Sequence, residues 1–181
     1  MKTRWLLVLT GLVIHSVAVA QGTINFSTRV GANLDAPVYY LGELLDGSFL
    51  GQLYVGPVNG PLAPTGNPTP FRSDAGRGYI TSGGTVEVPG LVGGELAQVK
   101  LVAWAAALGA SYVEAVARDV GGYGESAPII LRLGGDLVPP TSLIGPNGAL
   151  KGFSIPIVPE PAAAWLGCVG LIVCWWMRRR R

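Results

Sequence analysis

Between Gln21 and Pro161 the chain has no cysteine and no histidine. Both cysteines, Cys168 and Cys174, stand in an apolar run near the C-terminus, and the single histidine, His15, stands near the N-terminus. The middle therefore holds no thiol nucleophile, no imidazole base, no zinc site of Cys and His ligands and no internal disulfide. A Ser-His-Asp triad is excluded with them. Positive charge is scarce there as well: seven Lys or Arg stand against eleven Asp or Glu, although the whole chain carries a formal charge of +2. Without a basic stripe to follow a phosphate backbone, nucleic acid is not an expected partner. No cofactor and no metal are expected either.

The remaining basic residues mark the extremities. Lys2 and Arg4 precede the apolar run Trp5–Ile14, and the small residues Ala18 and Ala20 follow it. Positive start, short apolar core and an Ala-x-Ala end are the parts of a secretory signal peptide, with cleavage by signal peptidase after Ala20. The run is shorter than the ~20 residues of a membrane span. At the other end, Ala162–Met177 is free of charge and is followed by Arg178, Arg179, Arg180 and Arg181. As a helix it reaches ~24 Å against a hydrocarbon core of ~30 Å. Trp165 lies within it, Trp175 and Trp176 suit the interfacial belt, and the arginines can snorkel. Cations at both ends place both on the cytoplasmic face, so the body between them is expected outside the inner membrane, on a single-pass anchor.

Val158-Pro159-Glu160-Pro161 stands directly before the apolar run. Its prolines forbid helix interior, and an extended spacer is expected. Pro-Glu-Pro, a short apolar stretch with Trp and Gly, and a terminal Arg cluster, in that order, resemble the PEP-CTERM sorting signal of Gram-negative bacteria. A related tail is found in families labelled after ice-binding proteins. The resemblance implies recognition of Pro159, Glu160 and Pro161 by an exosortase, a membrane-embedded cysteine protease, with cleavage near them and transfer to the cell surface or extracellular matrix. It further implies membrane retention by Ala162–Met177, stop-transfer by Arg178–Arg181, and company with exopolysaccharide production. The blocks GTINFSTRVGANLDAPVYY, GQLYVGP, LVAWAAALGASYVEA and GYGESAPI are similar to those of PEP-CTERM proteins from planctomycete- or verrucomicrobium-like bacteria, a similarity that implies no particular biochemical activity.

The expected organisation is a signal peptide (1–20), an ectodomain (21–157) and a sorting tail (158–181). The ectodomain is rich in Gly and Pro, but β-forming segments bounded by them argue for a fold. Strands are expected at Thr23–Thr28, Pro37–Leu41, Gly51–Val55, Gly78–Thr81, Thr85–Val88, Ala97–Trp104, Pro128–Leu133 and Gly152–Ile157. Turns are expected at Asp46-Gly47, Gly56–Pro70, Gly83-Gly84, Gly93-Gly94, Gly121–Gly124 and Pro139–Gly148. This predicts an all-β, antiparallel β-sandwich of jelly-roll or Ig-like type. One helix, Ser111–Arg118, is expected over an open end of it. In Ala97–Trp104, residues Val99, Leu101 and Ala103 share one face and Lys100, Val102 and Trp104 the other, with Trp104 in the core.

Carboxylates are the only acid–base groups of the body. Glu87, Glu95, Glu114, Asp119 and Glu125 are candidates for a glycoside hydrolase pair, which needs two carboxyls ~5–10 Å apart across a cleft. Scattered acids more often lie on a solvated surface, and no enzyme activity and no catalytic residue are expected. Calcium needs dense oxygen ligands. Asp35, Asp46, Asp74, Asp119 and Asp136 are each isolated and read as turn residues. Tyr39, Tyr40, Tyr54, Tyr79, Tyr112 and Tyr123 offer rings on which sugars could stack, with about half of them expected inside by strand alternation. The sequence is thus read as an exported structural or adhesive surface protein, with an exopolysaccharide-binding module as the alternative and a carboxylate hydrolase third.

Overall fold

A computed structural model describes residues 21–157, apart from Ala32, Asp136, Pro146 and Asn147. Residues 1–20, with Ala18 and Ala20 of the expected signal peptide, lie outside the described residues. So do Pro159, Glu160, Pro161, Trp165, Trp175, Trp176 and the Arg178–Arg181 cluster.

The described fold is all-β with one short helix. Its strands are β1 (Gln21–Asn25), β2 (Arg29–Gly31), β3 (Leu34–Asp35), β4 (Val38–Tyr40), β5 (Glu43–Leu44), β6 (Phe49–Pro57), β7 (Ala63–Pro70), β8 (Thr85–Val92), β9 (Leu96–Ala105), β10 (Tyr123–Glu125), β11 (Ile129–Arg132), β12 (Thr141–Ser142), β13 (Ile144–Gly145), β14 (Gly148–Ala149) and β15 (Phe153–Ile155). The helix α1 spans Tyr112–Arg118.

The largest sheet runs β10-β9-β6-β7, with β11 also paired to β9. A three-stranded sheet runs β12-β1-β8, and β15-β4-β5 forms another. Strand β9 is the spine. It alternates as expected, sending Ala97, Val99, Leu101 and Ala103 into the main core. There they join Leu53 and Val55 of β6, Ile24 of β1, and Val86 and Val88 of β8 in one cluster. Burial of such side chains is worth ~1.5–3 kcal/mol each and supplies the main driving force.

Two pairings are parallel, β1 with β12 and β15 with β4, where wholly antiparallel sheets are expected. A parallel neighbour needs a long return of the chain. The last third of the chain makes that return, laying short strands beside the first strands of the body.

Three further expectations are corrected. Gly56–Pro70 is not only a turn, because β7 occupies its second half. That strand carries Pro64, Pro68 and Pro70 and pairs with β6 alone. A sheet edge tolerates residues without an amide donor, and proline there discourages pairing with another chain. Gly78–Thr81 forms no strand. Ile80 is nevertheless fully buried, because Thr28 takes over the role of a strand partner: its N–H donates to the Ile80 carbonyl (2.8 Å) and its Oγ1 accepts the Ile80 N–H (2.8 Å). The turn clusters Gly121–Gly124 and Pro139–Gly148 likewise contain β10, β12 and β13 in part or whole.

Candidate functional site

The helix defines the most distinctive face of the body. Ser111 caps it, its Oγ accepting the Glu114 N–H at 3.3 Å, while Glu114 Oε2 accepts the Ala110 N–H at 2.9 Å. This is a variant of the reciprocal capping arrangement, with the carboxylate reaching one residue further back. Asp119 closes the helix in the left-handed region (φ 50°). Rather than plugging an open end, α1 lies on the outer face of the five-stranded sheet. The reason is Trp104. It and Val102 point out of the sheet away from the main core, and both would meet water without a cover. Ala115 and Tyr112 of α1 supply that cover, and Trp104 is completely buried. Its indole N–H donates to the Gly109 carbonyl at 3.0 Å.

Tyr112 stands at the centre of an aromatic group. Its ring centroid is 6.0 Å from Tyr54, 6.1 Å from Trp104 and 6.2 Å from Tyr123, with the Tyr54 and Tyr123 rings at 71° and 78° to it. These are edge-to-face contacts, which stabilise packing beyond the area buried. Burial pushes the Tyr112 hydroxyl up to about 12. At the rim, Lys100 Nζ donates to Glu125 Oε1 at 2.9 Å, and the Tyr123 hydroxyl donates to Asp119 Oδ1 at 3.3 Å. A sugar stacks on the open face of a ring, whereas Tyr112 turns its faces and edges to its neighbours.

Elsewhere on the surface Tyr79 donates to Asp35 Oδ2 at 2.7 Å, and the Arg29 guanidinium lies 5.0 Å over its ring. The hydrogen bond to Asp35, followed by burial, raises the Tyr79 hydroxyl above its ordinary value. Tyr39 is exposed and Tyr40 packs on Phe49 with centroids 5.6 Å apart. None of the six tyrosines is fully buried, against the expectation that alternation would bury about half. All but Tyr39 are half-buried, Tyr40 against the main core and Tyr54, Tyr112 and Tyr123 around Trp104 and Val102.

The carboxylates serve local geometry. Asp46 Oδ1 accepts from the Ser48 hydroxyl (2.6 Å) and the Ser48 N–H (3.0 Å), which hold it below the usual carboxylate range. Asp74 pairs with Arg72 and accepts the Gly76 N–H at 2.8 Å, and its carboxyl is lowered for those reasons in that order. These are side-chain turns, as expected of isolated Asp. Glu95 accepts the Val92 N–H at 2.9 Å across the β8–β9 turn. Glu87 lies on β8, in a different sheet from Glu125. Among the described residues no three of His, Cys, Asp and Glu are grouped as metal ligands. The Asp136 expectation lies outside the described residues.

A groove of ~580 Å³ runs between Pro128–Ile130 and Ala149–Phe153, with Lys151 on its wall. Sequence reasoning did not find this groove, nor the Arg29–Tyr79–Asp35 group. Both are built from residues far apart in the chain, with no local spacing to betray them. The described part of the chain is thus an all-β domain with one helix-covered aromatic face. Comparison of the chain with protein-family models, with curated proteins and with solved structures gives no match.

Proposed function

We propose that the chain is a non-enzymatic surface or matrix protein of structural or adhesive type, exported through its leader and sorted by an exosortase through Pro159-Glu160-Pro161. In this reading Gln21–Ile157 is a β-sandwich ectodomain of jelly-roll or Ig-like type, and Ala162–Met177 holds it in the inner membrane until the tail is processed.

The observation that carries the proposal is the order of parts at the C-terminus: Pro-Glu-Pro, an uncharged run of sixteen residues and four arginines. The body is compatible with it. Among the described residues β1 runs Gln21–Asn25 and pairs antiparallel with β8. Residues of the β10-β9-β6-β7 and β12-β1-β8 sheets share one apolar core, which supports the sandwich reading. The carboxylates named above that have partners are engaged in turns, caps and ion pairs, which supports a structural role over acid–base chemistry.

The test is the location and N-terminus of the protein expressed in a Gram-negative host. Recovery from the cell envelope with Gln21 as first residue is the expected result. A full-length protein in the cytosol, still starting at Met1, overturns the proposal.

A further inference from the structure

The segment that carries α1 is unusually apolar for a surface. From Ala106 to Gly122 only Glu114, Arg118 and Asp119 are charged. Ala106, Ala107, Ala110, Val113, Ala117 and Val120 are exposed. Val113 and Val120 keep 67% and 68% of their surface in water, and Val116 keeps 39%. The helix therefore has two apolar sides. Tyr112 and Ala115 face the sheet, whereas Val113, Val116 and Ala117 face outward at the i, i+3, i+4 spacing of a contact stripe. The three charged groups are tied down locally. Glu114 completes the cap, Arg118 Nη1 donates to the Ala107 carbonyl at 3.5 Å, and Asp119 accepts from Tyr123.

The same end of the body is where the chain leaves it. Phe153 shares a groove with Ala127 and Pro128, while a Cβ on Gly124 would meet Pro156 Cδ at 3.0 Å. The last strand thus runs back along the 124–128 segment toward Gly122 and Val120. Gly122 in turn borders Leu108 and Ala105, at the foot of the helix. Ile157, 63% exposed, is the last described residue of this path. Only Val158–Pro161 separate it from the uncharged run that starts at Ala162. Even fully extended, that spacer reaches at most ~18 Å.

We infer that the outer face of α1, with Val113, Val116, Ala117 and Val120, docks on the lipid bilayer interface beside the anchor while the tail is intact. The inference rests on the reading of Ala162–Met177 as a membrane segment. A short tether confines the body to the bilayer surface, and the end nearest the tether carries an unpartnered apolar stripe. Docking removes the valines from water. A second apolar group, around Leu96, Ile130 and Val138, lies at the opposite end of β9, ~30 Å away by strand length, and faces water in this arrangement.

The test uses the full chain with Cys168→Ala and Cys174→Ala, reconstituted into phosphatidylethanolamine/phosphatidylglycerol nanodiscs. A polarity-sensitive fluorophore is attached at Val116→Cys or, in a separate protein, at Leu96→Cys. Several-fold stronger quenching by headgroup-level nitroxide lipids at position 116 than at position 96 is expected, with a blue-shifted emission at 116 alone. Equal, weak quenching at both positions in a chain that co-purifies with the discs overturns docking and leaves the anchor standing. A chain that fails to associate with the discs overturns both. A blue shift at 116 without lipid quenching, lost when each disc holds one chain, overturns the bilayer in favour of a second copy.

Discussion

Replacing Thr28 by Val changes one atom group in a fully buried side chain and removes one acceptor. In the native fold Thr28 Oγ1 takes the Ile80 N–H at 2.8 Å, and both residues are completely buried. Valine keeps the shape of threonine but leaves that N–H facing its methyl groups. A buried donor without a partner costs ~1–3 kcal/mol. For a body of this size each kcal/mol lowers the melting temperature by roughly 3–5 °C, so a drop of ~3–15 °C is expected. Thr28→Ser retains the acceptor and loses one methyl, with an expected cost of about 1 kcal/mol. Thermal melts followed by circular dichroism give the totals, and hydrogen exchange at the Ile80 amide separates the causes. The Ile80 amide should exchange faster in Thr28→Val than in Thr28→Ser. Equal protection of that amide in the two variants, or a Val variant as stable as the parent, would refute the idea that Thr28 substitutes for a missing strand.

Three other outcomes are expected. Gly66 sits at φ +70° in the irregular stretch of β7, where the Gln52 amide donates to its carbonyl at 2.7 Å, and an added Cβ would meet Val86 Cγ1 at 2.9 Å; Gly66→Ala should cost ~1–3 kcal/mol through backbone strain and overpacking, read from urea unfolding midpoints. Asp74 titrates below its ordinary value in the folded state, so its contribution is present above the unfolded pKa near 3.8 and is lost as pH falls through the lower folded value; Asp74→Asn should flatten the fall of melting temperature below about pH 4, and an unchanged slope would argue against the Arg72–Asp74 turn. Glu160→Ala should leave the protein in the inner membrane with its C-terminus intact, as judged by fractionation and immunoblotting in a host with an exosortase.

Strand alternation was legible wherever a segment is buried on at least one face by its own pattern. Ala97–Trp104 is the clearest case: the two sets of residues separate as the sequence demands, and Trp104 is buried. The helix was legible too, from Ser111 to Arg118, because capping chemistry is local. Its placement was not, since only the pairing of β6 with β9 shows that Leu50, Gln52 and Tyr54 share the outer face with Trp104. Strand β7 was missed because three prolines normally veto a strand, and the exemption depends on standing at an edge, which is a tertiary fact. Gly78–Thr81 failed for the converse reason. Its apolar Ile80 marks burial, but a side-chain hydroxyl of Thr28, fifty-two residues away, replaces the ladder. The edge-to-face setting of Tyr54, Tyr112 and Tyr123 likewise follows from long-range packing, so the count of tyrosines alone overstated the flat surface open to sugars.

The most direct measurement is the C-terminal residue of the mature protein, taken by intact-mass spectrometry from the surface or matrix of a bacterium that carries an exosortase. A mass ending before Ala162, with the Arg178–Arg181 cluster gone, is the expected result. A mature protein that retains Arg181 in every fraction contradicts the sorting account.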